Sequence, residues 1–92
     1  MAPTVSALRN QIRVATGRYE REVSSAFTKE ALAAICGAVD ADIDTDPTPP
    51  KSEMRAAILV AIGEAESFAP EDHESAFRKA QLQAIADALE AA

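Results

Sequence analysis

Two stretches decide the reading: SAFTKEALAAI, Ser25 to Ile35, and SAFRKAQLQAI, Ser75 to Ile85. They share S-A-F-x-K-x-x-L-x-A-I. In both, Phe, Leu and Ile recur at steps of three to five residues, the spacing of one apolar helix face. The repeat extends upstream. PTVSALRNQIRVATG (Pro3 to Gly17) aligns with PPKSEMRAAILVAIG (Pro49 to Gly63), pairing Leu8 with Met54, Arg9 with Arg55, Ile12 with Ile58 and Gly17 with Gly63. The offset is 46 residues in the first pair and 50 in the second, so the later copy carries four extra residues around SFAPEDHE. Many matches are to Ala, which is abundant. The Phe, Lys, Arg, Ile and Gly matches carry the argument for internal duplication.

Each segment has helical period. Val5, Leu8, Ile12, Ala15 and Tyr19 form one stripe. Phe27, Ala31, Ala34, Ile35 and Ala38 form the second. Met54, Ile58, Ala61, Ala65 and Phe68 form the third, and Phe77, Leu82, Ile85 and Leu89 the fourth. β-Branched residues are sparse and never alternate over a useful length, so no strand is expected. Thr4 and Thr48 stand where helix N-caps belong, and Pro49 suits a first turn. Pro70, Glu71 and Asp72 read as the start of the last helix, with acids at the positive end of its dipole. The spacing therefore predicts an all-α, bundle-like fold of four helices. These form two duplicated helical hairpins, residues 3–39 and 49–90, joined by an acidic, Pro-rich linker over 40–50. Neither hairpin can seal its own apolar face, so the two share one core.

Ninety-two residues make a single small domain. A chain this short buries only about 60–65% of its unfolded surface. Its apolar content leans on alanine, which favours helix but buries little area. A core this thin gains from pairing, so a homodimer is expected, or a protein partner. One cysteine excludes an internal disulfide. No apolar run approaches the roughly 20 residues of a membrane span, and the start, MAPTVSALRNQ, lacks a signal-peptide apolar region. The expected location is the cytoplasm.

The formal net charge is −6, with three lysines against six arginines. This composition resembles that of salt-adapted, haloarchaeal cytoplasmic proteins. A generic phosphate-backbone binder is expected to be basic, so nucleic acid ranks second among partners. Its candidate contacts are Arg9, Arg13, Arg18 and Arg21 on the first helix, with Lys51 and Arg55. Arg9 and Arg13 lie one turn apart and share a face.

No catalytic set is visible, and no enzyme activity, cofactor or metal is expected. His73 is the only histidine and has no second ligand nearby. Cys36 lies beside an apolar stripe and reads as an inert buried thiol. Asp42, Asp44 and Asp46, with Glu53, match positions 1, 3, 5 and 12 of a calcium loop. Position 6, which must turn at positive φ, is Pro47, and proline is locked near −65°. The linker thus reads as a solvated acidic connection.

Phe27 to Ile62 resembles a helix–extended loop–helix module of the SAP kind. The shared features are a Thr-led first helix, a Pro-rich loop, and Lys51 ahead of the amphipathic SEMRAAIL. The resemblance covers less than half of the chain and implies DNA binding through Lys51, Arg55 and nearby backbone. The loop here is acidic, and the glycine usual before the basic residue is missing. The favoured function is a non-enzymatic interaction or self-assembly module. The alternative is a nucleic-acid-binding or regulatory module using the first-helix arginines.

Overall fold

A computed structural model describes residues 4–18 and 27–91, the last by its backbone alone. The expectations for Pro3, Tyr19, Arg21, Ser25 and Ala26 lie outside the described residues. Within them the chain is all-α, with helices α1 (Val5–Ala15), α2 (Lys29–Ala38), α3 (Lys51–Ala61) and α4 (Lys79–Ala91). A short 3-10 turn covers Pro70–Asp72.

Two helices start on threonines whose hydroxyls accept a free backbone N–H. Thr4 Oγ1 accepts from Ala7 N at 3.0 Å. Thr28 Oγ1 accepts from Ala31 N at 3.2 Å. Each satisfies a donor that the helix itself leaves without a partner. α3 differs from expectation at its start: Pro50, which has no side-chain cap to offer, precedes Lys51.

Three helix ends share one device. At α1, Gly17 N bonds Val14 O and Arg18 N bonds Arg13 O. At α3, Gly63 N bonds Val60 O and Glu64 N bonds Leu59 O. At α2, Asp40 N bonds Gly37 O at 3.4 Å and Ala41 N bonds Cys36 O at 2.9 Å. This is the Schellman pattern, which turns the chain through a left-handed residue. Gly17 has φ +80° and Gly63 φ +82°; Asp40 has φ +57° and is the only non-glycine at positive φ among the described residues.

These stops shorten two of the expected apolar stripes. α1 ends at Ala15, so Arg18 lies beyond the helix. α3 ends at Ala61, so Ala65 and Phe68 fall past the Gly63 turn instead of extending the α3 face. Pro70 to Asp72 forms its own turn. α4 starts later, at Lys79, after Phe77 has entered the core and Gln81 Oε1 has accepted from Arg78 N at 2.8 Å.

The main helix pairings run between the halves of the chain. α1 packs on α4 and α2 packs on α3. The expected hairpins, α1 against α2 and α3 against α4, are not the main pairings; each helix instead packs on one from the other half, and each half covers the apolar stripe of the other. Leu8, Ile12, Leu32, Ile35, Met54, Ile58, Leu59, Leu82 and Ile85 are fully enclosed. At one end of this core, Phe27 meets Phe77 edge to face, ring centres 6.4 Å apart and planes at 68°. That arrangement puts the positive ring edge on the negative ring face.

Candidate functional site

The expected cationic contacts do not form one open face. Arg13 is 3% exposed. Its guanidinium lies 5.3 Å from the centre of the Phe27 ring, and Nη1 donates to Asn10 Oδ1 at 2.8 Å. A cation over an aromatic face in a partly dry site is held by the ring quadrupole as well as by the hydrogen bond. Arg55 is also buried. Its Nη1 donates to the carbonyls of His73 at 3.0 Å and Glu74 at 3.1 Å, tying α3 to the segment that leads into α4. Burial pushes its pKa down from the ordinary arginine value.

Arg9 is half-buried and lines a cavity of about 10 Å³ with Phe27, Phe77 and Arg55. Arg18, past the helix, pairs with Glu30 at 3.4 Å on the surface. Lys51 is half-exposed at the start of α3. Arg21 lies outside the described residues. Arg9, Arg13 and Arg55 therefore gather round the Phe27–Phe77 pair. The sequence spacing that put Arg9 and Arg13 on one face did not show that the face points inward.

Cys36 is buried, its Sγ 3.9 Å from Met54 O. Burial raises its thiol from 9.0 to about 11, opposed in part by a backbone hydrogen bond. A thiol held protonated at neutral pH is a poor nucleophile. Among the described residues, no group of three His, Cys, Asp or Glu side chains is placed to hold a metal ion. In the linker, Asp44 Oδ1 accepts from Asp46 N at 3.0 Å, a local turn bond. The Asp46–Pro47 peptide is cis.

The feature that sequence reasoning missed lies at the linker end of the molecule. Three large apolar side chains are exposed among the described residues: Val14, Val60 and Phe68. Two of them, Val60 and Phe68, line one groove of about 240 Å³, with Ala57, Ala61, Asp40 and Asp42. Phe68 is 53% exposed. Its place in the third stripe had put it in the core. The signal that corrects this was present: Gly63 stops the helix, and Pro70 follows too soon for another to form.

No helix among the described residues is long and apolar enough to cross a membrane. Comparison with known protein families, with curated proteins and with solved structures finds no match to this chain.

Proposed function

We propose that the chain is a non-enzymatic protein-interaction module, working in the cytoplasm and built from an internally duplicated helical unit. The carrying observation is the groove. Val60 and Phe68 hold apolar surface in water side by side, in a concave site. Exposed apolar side chains that cluster mark interaction surfaces, whereas single ones need no explanation.

The duplication reading draws on matched positions. α1 and α3 each run 11 residues and end in the same glycine turn. Leu8 and Met54, Ile12 and Ile58, Phe27 and Phe77, Leu32 and Leu82, and Ile35 and Ile85 are buried in matching pairs. A second copy is a further partner, through a face other than the groove, because a chain of 92 residues buries little area alone. Sedimentation equilibrium in low and high salt tests this. Apolar association is expected to persist or strengthen in high salt. A chain that stays monomeric at every concentration and salt contradicts the dimer.

The nucleic-acid alternative, and the SAP resemblance with it, needs free cations. Arg13 over Phe27 and Arg55 on two carbonyls are engaged inside the protein. That engagement favours the protein-interaction reading.

A further inference from the structure

The Val60–Phe68 groove lies where helix ends and carboxylates meet. A second hollow of about 290 Å³ continues it, sharing Asp40 and Ala61 and reaching Val39, Ile62 and Ala88. The C-termini of α2 and α3 thus both run out at this surface. Neither helix has a basic residue in its last turn; of the four helices only α1 has one, Arg13. A helix C-terminus carries a partial negative charge, and a cation beside it is stabilising. Here Asp40 adds a full negative charge just past the end of α2, and Asp42 follows two residues on. Asp40 also occupies a left-handed position, φ +57°, that glycine fills at lower cost. The dipole disfavours a carboxylate at this place, although Asp tolerates the left-handed backbone better than most residues.

We propose that this groove docks a cationic segment of a partner protein. The segment presents one large apolar side chain to Val60 and Phe68, and a Lys or Arg to Asp40, Asp42 and the adjoining helix ends. The proposal rests on the interaction-module reading and names its partner class. Charge complementarity selects the occupant. A second copy would set Asp40 and Asp42 against a surface of a chain whose net charge is −6. A nucleic acid would bring phosphates to the same carboxylates. The part of the groove beside Phe68 holds about 240 Å³. It suits a single anchoring side chain flanked by charge.

The test is fluorescence anisotropy with the full chain and a short labelled amphipathic peptide of Leu and Lys at helical spacing. Its Leu–Glu counterpart is the control, and both are measured at low and high salt. The Leu–Lys peptide is expected to bind, more weakly as salt rises, and the Leu–Glu peptide not to. Phe68→Ala and the Asp40→Asn, Asp42→Asn pair are each expected to weaken binding about fivefold or more, a change of about 1 kcal/mol. Val14→Ala, at the exposed valine outside this groove, is expected to change nothing. All four altered positions are exposed, and circular dichroism checks that each variant keeps its helices. Equal affinity for the two peptides overturns the proposal, as does wild-type binding by the Phe68 or the paired Asp variant. Self-association abolished by Phe68→Ala makes a second copy the occupant and also overturns it. A chain that dimerises yet ignores both peptides overturns this proposal and leaves the interaction-module reading standing.

Discussion

Phe27 joins the two halves of the core through one side chain: it meets Phe77 edge to face and carries the Arg13 guanidinium over its ring. Phe27→Ala removes the ring contact and leaves Arg13 buried without its aromatic face. A loss of about 3–5 kcal/mol is expected, near the whole stability of a small domain, and thermal denaturation reads it. An unchanged melting temperature would refute the placement. Asp40 gives the opposite sign. Asp40→Gly relieves a left-handed non-glycine and removes a carboxylate from a helix C-terminus, so folding is expected to become more stable by about 1 kcal/mol. Denaturant unfolding measures it, and a destabilised variant would contradict the account.

Cys36 makes stability depend on alkaline pH. Its folded pKa, about 11, lies above the free-thiol value of 9.0. The contribution is therefore complete below pH 9 and is lost as pH rises toward 11, because only the unfolded chain ionises in that window. Two pH units correspond to about 2–3 kcal/mol. Cys36→Ala is expected to flatten that part of the stability–pH curve, and an equally steep curve in the variant would sink the assignment.

Among the elements, the glycine turns decide where helices stop. Gly17 and Gly63 sit at φ +80° and +82°, and no side chain crowds either position. Substitution by Ala therefore meets a backbone cost alone, about 1–2 kcal/mol each. Gly37 lies inside α2 with open space around its Cα. Gly37→Ala is expected to stabilise by about 1 kcal/mol, the helix-propensity difference. The three variants, compared by denaturant unfolding, should divide two to one in sign; a common sign contradicts the turn assignment.

The same turns explain which features of the elements were legible. Four helices, most of their apolar faces and the Thr4 cap follow from spacing and local chemistry; the start of α4 does not, because Pro70 to Asp72 forms a separate 3-10 turn and α4 begins at Lys79. The lengths of α1 and α3 were not legible either, because Tyr19, Ala65 and Phe68 keep the apolar step past Gly17 and Gly63, whereas α1 ends at Ala15 and α3 at Ala61. Phe68 was misplaced for that reason alone. The cross-pairing of α1 with α4 and of α2 with α3 depends on tertiary geometry, and periodicity carries no information about which stripe meets which.

For the whole molecule, the distribution of charge and apolar surface carries the functional argument. The linker end combines Asp40, Asp42, two helix C-termini and exposed Phe68. The Phe27–Phe77 end gathers Arg9, Arg13 and Arg55 around the aromatic pair. The arginines were legible as a set, but their burial was not: a one-turn spacing fixes a shared face and leaves open whether that face meets water or Phe27. The central claim is that the chain works by binding protein and not by neutralising phosphates. Fluorescence anisotropy of a labelled DNA duplex, titrated with the full chain at low salt and repeated as salt is raised, tests it most directly. The account predicts no saturable binding tighter than about 100 µM, the weak end of ordinary non-specific affinity. Saturable binding that weakens steeply with salt and is lost in an Arg9→Ala, Arg18→Ala double variant would contradict it.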